Sequence, residues 1–158
     1  MKTVLTIAYF YPPFDTTAAL EASKLTSYLP DHGWSPIVLT AANDYAPSLP
    51  LEVDGARVHR TAQFDVNRLP KMFLANKRDP YAGYVANQVS RVGRIAGRLG
   101  RAYRQVVDVP DAQIGWLPFA TKEGKQILTR HRPDLIFSIG GPFTSHLIGR
   151  RHAEAGQV

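Results

Sequence analysis

The run Val4–Phe10 is apolar at nearly every position, and two consecutive prolines, Pro12 and Pro13, follow it closely. A strand with apolar residues on both faces is typical of a parallel sheet that helices cover on both sides. Proline has no N–H to donate to a neighbouring strand, so the strand has to end near Tyr11. The segment therefore predicts the first strand of an α/β protein, with a loop at its carboxyl end.

Strands and helices alternate along the rest of the chain. The predicted strands are Thr3–Tyr9, Pro36–Thr40, Arg57–Thr61 and Leu135–Ile139. The predicted helices are Ala18–Leu29, Tyr81–Val107, Phe119–Arg132 and a last one that has Pro142 in its first turn. The third strand is expected near an edge, and Trp34 is expected in the core. This order predicts an α/β fold, a Rossmann-like parallel sheet flanked by helices with right-handed crossovers.

The first helix has its large apolar residues at Leu20, Leu25, Tyr28 and Leu29. At the other end of the chain, the last predicted helix is followed by Gly156 and Val158, the way a further strand begins. We therefore expect residues 1–158 to form one domain that is incomplete at its carboxyl end.

Positive charge is concentrated in the middle of the sequence. The net charge is +6, and residues 57–104 hold eleven Lys and Arg against two Asp. Four arginines recur at helical spacing on one face of the long predicted helix: Arg91, Arg94, Arg98 and Arg101. Such a face suits docking on an anionic membrane surface, where each basic group contributes about 1 kcal/mol. The alternative is a solvated helix face that binds nothing.

Several kinds of site are not expected. The chain has no Cys and five scattered His, so no metal site is predicted. The glycine fingerprint of dinucleotide-binding proteins does not follow the first strand, so no NAD site is expected. No other cofactor is predicted. No apolar run is long enough to cross a bilayer. With no recognised motif and no basic–aromatic interleaving, no nucleic-acid partner is expected.

Four segments occur in an order and at a spacing that suggest a family. They are YFYPP, YLPDHGWSPIVLT, PDAQIGWLPFATKEGKQIL and RPDLIFSIGGPFTSHLIG. Together they resemble the N-terminal domain of family-4 glycosyltransferases of the GT-B architecture, also called group 1 glycosyl transferases. The resemblance covers nearly the whole chain. One departure is Thr16-Thr17-Ala18-Ala19, where family members often carry a Gly-Gly pair that lets the backbone approach a diphosphate.

The resemblance implies an activity. Such enzymes move a sugar from a nucleotide-sugar donor to an acceptor, usually with retention of configuration and without a metal. The N-terminal domain mainly holds the acceptor, here expected to be an envelope polysaccharide or a lipid-linked glycan. The C-terminal donor domain is absent from this sequence, so this chain alone is expected to be inactive. The expected location is the cytoplasm, and the alternative is peripheral attachment to the inner face of the membrane.

The candidate binding residues lie in two loops. In open α/β sheets, ligands bind at the carboxyl ends of the strands. The loop after the first strand contributes Pro13, Thr16 and Thr17, and the alternative role of this loop is a strand stop followed by a Thr cap. The loop after the fourth strand and the start of the next helix contribute Gly140, Gly141, Phe143, Thr144, Ser145 and His146. His146 is the only catalytic candidate, and its alternative role is packing on the helix.

Asp111 and Trp116 are the remaining candidates. The resemblance implies that an acidic loop with a Trp lines the acceptor side. The alternative is a buried Trp that anchors the loop. Beside the enzyme hypothesis, the sequence leaves open a stand-alone α/β module that binds a membrane or a partner through its basic helix.

Overall fold

A computed structural model describes residues 1–42, 50, 54, 57–66 and 109–155. The strands are β1 (Lys2–Ile7), β2 (Trp34–Ala41), β3 (Val58–Thr61) and β4 (Leu135–Ser138). The helices are α1 (Thr17–Tyr28), α2 (Leu117–His131) and α3 (Thr144–Glu154), with short 3-10 turns at Leu29–His32 and Ile114–Trp116. The basic helix predicted around Arg91, Arg94, Arg98 and Arg101 lies outside the described residues.

The four strands form one parallel sheet in the order β3-β2-β1-β4. The α/β fold predicted from the sequence is confirmed, and β3 lies at an edge as expected. β1 is central because it pairs with β2 on one side and β4 on the other, with Val4 opposite both Pro36 and Leu135. Along the chain, β2 and β3 are added on one side of β1, and β4 is added on its other side. The order in which strands are added therefore reverses between β1 and β4.

Helices cover both faces of the sheet. The larger apolar cluster lies under α2 and α3 and includes Leu5, Ile7, Leu39, Ile127 and Ile148. Alternate residues point to the opposite face. The smaller cluster there consists of Ala8, Tyr11, Ala22 and Val38, and it lies under α1.

The buried face of α1 carries small side chains, which its large apolar residues did not predict. Its buried residues are Ala19, Ala22, Ser23 and Thr26, while Leu20, Leu25 and Tyr28 are exposed. The fully buried Tyr11 explains this, because its ring occupies the space under the helix and its hydroxyl lies 2.7 Å from Thr26 Oγ1. Small side chains are needed on this face of α1, because the tyrosine ring already fills the space between the helix and the sheet.

Two further details differ from the prediction. Trp34 is half-buried at the start of β2, where the Lys2 ammonium lies 5.6 Å from its ring, so its placement in the core was wrong. The last helix begins at Thr144 and not at Pro142, so the proline precedes the first turn. The helix begins there because the Thr144 N–H donates to Asp111, which lies in another segment.

A histidine is buried where α2 and α3 cross. His152 on α3 is 1% exposed, and its Nε2 has no hydrogen-bond partner. Burial lowers the pKa of His152, and nearby Lys125 lowers it further, while a hydrogen bond with the backbone of Ala120 acts in the opposite direction. At neutral pH the imidazole is therefore uncharged in the folded protein.

This histidine predicts a pH dependence of stability. Its pKa is lowered from the ordinary value of 6.5, so the unfolded chain binds more protons below that pH. Stability should be lost as the pH falls from about 6.5 through the lowered pKa. We expect urea unfolding of the wild type to show a larger loss between about pH 7 and about pH 5 than unfolding of His152→Gln. Equal losses in both proteins would contradict this.

Candidate functional site

The loops that follow β1 and β4 meet at the point where the strand order reverses. The two strands are parallel neighbours, so their carboxyl ends lie at the same edge of the sheet. The Ile139 N–H donates to the Ile7 carbonyl at 2.9 Å, which holds the second loop beside the first. In open α/β sheets this reversal point opens a crevice in which ligands bind. We use the name β1/β4 crevice for this point of the sheet edge and its two loops, residues 8–17 and 139–146.

The first loop is closely packed up to the start of α1. The Phe10 and Phe14 rings stack with centroids 5.2 Å apart. Thr16 Oγ1 accepts from the Ala19 N–H at 3.1 Å, so the capping role considered for Thr16 is present. Pro13 is half-buried, and Thr17 is exposed in the first turn. Of the three candidates in this loop, Thr17 is the most accessible.

The second loop places His146 over its own glycine. A Cβ atom on Gly140 would lie 2.7 Å from His146 Nε2, and His146 Nδ1 lies 2.8 Å from Ser138 Oγ. The imidazole therefore occupies the space above Gly140 and contacts β4 through Ser138, so it packs on the loop and the strand and not on the helix as the alternative role had it. Gly141 has a φ of +68°, which favours glycine. Phe143 is 63% exposed beside this turn.

Asp111 caps α3 from a distant part of the chain. Its Oδ2 accepts from the Thr144 N–H at 2.8 Å, and its Oδ1 accepts from the Thr144 hydroxyl at 2.6 Å. Asp111 Oδ1 also accepts from the Gln113 N–H at 3.1 Å. A carboxylate is favoured at a helix N-terminus, where the backbone dipoles are positive. The structure therefore brings two predicted site residues together, but as partners of each other, and this contact fixes where α3 begins.

Replacing Asp111 by alanine should lower stability by about 2 kcal/mol, because three hydrogen bonds are lost together and one of them is the cap of α3. The measurement is urea unfolding. Asp111→Asn is the matched control: it keeps one acceptor oxygen and the shape of the side chain, so it should retain part of this stability. An Ala variant as stable as the wild type would show that the cap is energetically unimportant.

Trp116 is fully buried, so it presents no face on which a sugar ring can stack. Its Nε1–H donates to Thr61 Oγ1 at 2.7 Å, and the Tyr9 ring meets it edge-on with centroids 5.3 Å apart. This is the anchoring role considered for the loop Trp. Ser145 is also fully buried, and its hydroxyl has no hydrogen-bond partner.

The structure adds a residue that sequence reasoning missed. Arg60, on β3, donates from Nη2 to the carbonyl of Pro12 in the first loop. The neighbouring Thr40 hydroxyl donates to the Tyr9 carbonyl at 3.0 Å, so polar side chains of β2 and β3 hold this loop from one side. The one sequence signal for this residue was the alternating pattern of the predicted third strand. That pattern places Arg60 and Thr61 on opposite faces of the sheet, but it does not reveal the contact with Pro12.

Metal centres and membrane-spanning helices are two further features that bear on function. Within the described parts of the chain, no group of three His, Cys, Asp or Glu side chains is arranged to hold a metal ion. Among those same residues, no helix is long and apolar enough to cross a membrane. Comparison of the chain with protein-family models, curated proteins and solved structures finds no match to any of them.

Proposed function

We propose that this chain is the acceptor-side domain of a glycosyltransferase, which moves a sugar from a nucleotide-sugar to a glycan or lipid-linked acceptor. The observation that carries the proposal is the β1/β4 crevice, because the strand order reverses there and two candidate loops lie side by side. The order of the four sequence segments supports the choice of reaction.

The chemistry expected of this crevice is positioning. Thr17 is exposed at the start of α1, and Gly141 and Phe143 are exposed across the crevice. In the proposed reaction these groups contact the donor diphosphate or the acceptor hydroxyls, and His146 contacts the transferring sugar. Orientation of two substrates and stabilisation of the leaving diphosphate supply the rate enhancement. No metal or other cofactor is assigned to the reaction.

The test uses the protein as its native cell makes it, with a panel of nucleotide-sugars carrying a labelled sugar and an extract of cell lipids and polysaccharide. Intact mass shows whether the native protein carries a further domain. We expect transfer of one labelled sugar to the lipid or polysaccharide fraction. If no sugar of the panel is transferred, the proposed activity is wrong.

A charge change at Thr17 ties the activity to the crevice. Thr17→Glu should keep the fold, because a carboxylate is favoured in the first turn of a helix. It should slow transfer by about tenfold or more, since it repels an anionic diphosphate at the same place. Thr129→Glu is the matched control, because Thr129 is exposed near the carboxyl end of α2, away from this edge of the sheet. Equal rates in both variants would remove the crevice from the mechanism.

The membrane part of the proposal rests on the sequence alone. It concerns Arg91, Arg94, Arg98 and Arg101, which lie outside the described residues. Binding to vesicles that contain anionic lipid should weaken when Arg94 and Arg98 are both changed to Glu. Vesicle binding without any sugar transfer would favour the alternative, a stand-alone binding module.

A further inference from the structure

Arg60 lies on the same face of the sheet as α1. The preceding residue, His59, points to the opposite face, where its Nδ1 lies 3.0 Å from Glu123 Oε1 on α2. Alternation along β3 turns Arg60 the other way. Its register partner is Thr40, whose hydroxyl is bonded to the first loop. The arginine therefore approaches the residues that enter α1, on the same side as Thr17.

Among the residues that the structure describes, the guanidinium group has one carbonyl partner and no anionic one. Its Nη2 donates to the Pro12 carbonyl, and within the described residues Arg60 forms no ion pair. Asp15, in the same loop, is exposed and makes no ion pair with it. The Pro12 contact uses one of five N–H groups, and a carbonyl oxygen leaves the positive charge uncompensated.

The surroundings favour an added anion. Arg60 is exposed as a residue, but burial of part of its guanidinium group lowers its pKa, while the nearby Tyr11 acts in the opposite direction. A cation that is partly removed from water without a counter-charge is stabilised when an anion binds beside it. A planar guanidinium fork suits two oxygens of one phosphoryl group, which is why Arg is favoured at such sites.

We propose that Arg60 binds a phosphoryl group of the ligand held in the β1/β4 crevice. The choice of this crevice as a ligand site rests on the proposed function. Two sources share this chemistry, namely the diphosphate of a nucleotide and the phosphate of a phosphorylated acceptor. The competing role is structural, in which Arg60 only positions the Pro12 loop.

The experiment measures binding of three probes to the chain by calorimetry at low salt: inorganic pyrophosphate, a nucleoside diphosphate and a sugar 1-phosphate. Arg60→Gln should weaken binding of pyrophosphate by about tenfold or more, because the charge is lost while an N–H donor to Pro12 is kept. The affinity of Arg60→Lys for pyrophosphate should lie between those of the wild type and Arg60→Gln, since lysine keeps the charge but lacks the planar guanidinium fork. Tighter binding of the nucleoside diphosphate indicates the donor, and tighter binding of the sugar phosphate indicates the acceptor.

Arg57→Gln is the matched control, because Arg57 immediately precedes the same strand and donates to Ser35 instead of the loop. Its affinity for pyrophosphate should stay within about twofold of the wild type. Should Arg60→Gln fail to fold, the Arg60 Nε–H signal is followed by NMR during a pyrophosphate titration of the wild type. A shift of that signal supports the proposal. Absence of the shift, absence of pyrophosphate binding, or equal affinity in Arg60→Gln overturns it.

The two proposals fail in different ways. Sugar transfer that is unaffected by Arg60→Gln would leave the proposed function standing and remove Arg60 from it. Pyrophosphate binding that depends on Arg60, with no transfer from any nucleotide-sugar, would keep the anion site and remove the reaction.

Discussion

Replacing Gly115 by alanine is expected to cost about 3 kcal/mol of stability or more, the upper range for overpacking. A Cβ atom at this position would lie 1.9 Å from the backbone oxygen of Phe64 and 3.2 Å from the Val66 side chain. Relief requires movement of backbone, because the nearest atom is a carbonyl oxygen. The Phe64 N–H also donates to the Gly115 carbonyl at 3.3 Å, so the two segments are bonded as well as packed.

The loss should spread beyond the contact itself. Trp116 follows Gly115 directly, and its bond to Thr61 joins the start of α2 to the end of β3. Urea unfolding measures the change, with Gly33→Ala as the comparison. Gly33 has a φ of +79° and nothing within 4 Å of an added Cβ, so that variant carries backbone strain alone, about 1 kcal/mol. If Gly115→Ala costs no more than Gly33→Ala, the close approach to Phe64 is wrong.

The second large effect is expected for Gly124→Ala, which should destabilise the protein although the same change usually stabilises a helix. In an exposed helix, Gly→Ala stabilises by about 1 kcal/mol. Here an added Cβ would lie 2.2 Å from Nε2 of His152, whose imidazole is enclosed between α2 and α3 and has little room to move. Gly124→Ala should therefore destabilise the protein by about 1 to 3 kcal/mol, despite its better helix propensity.

A double-mutant cycle separates the two terms. His152→Ala is itself destabilising, since it leaves a cavity. In that background the obstacle to the new methyl group is gone, so Gly124→Ala should now stabilise by about 1 kcal/mol. Thermal or urea unfolding of the four proteins gives the coupling. Gly124→Ala with the same unfavourable effect in both backgrounds would mean that His152 is not the neighbour that forbids a side chain.

The fold was predictable from the sequence because strands buried on both faces leave a plain pattern. The runs that became β1 and β2 are apolar at consecutive positions, and proline or glycine marks where the chain turns. The apolar positions of α1 were a poor guide to its buried face, because that face depends on Tyr11, which comes from another element. Pattern within one helix carries no information about the volume already filled beneath it.

The candidate site was predictable as a place and less so as a set of contacts. The loops after β1 and β4 do lie side by side, since parallel strands end at a common edge. The bond between Asp111 and Thr144 joins residues 33 positions apart, and that between Arg60 and Pro12 joins residues 48 apart. Such pairings depend on how elements pack, so local spacing did not reveal them. The binding roles of the predicted residues remain predictions.

The central place of β1 has a consequence for how the protein acquires its fold during synthesis. The Thr3 N–H donates to a carboxylate oxygen of Asp134, 131 residues later in the chain. β1 therefore leaves the ribosome long before β4, and its second edge stays unpaired until Asp134 and the strand that follows it have been made. Pairing across such separations is slow, and an unpaired strand edge is open to association with other chains meanwhile. We expect refolding yield to fall with protein concentration, and β1 to be the segment that a chaperone has to shield.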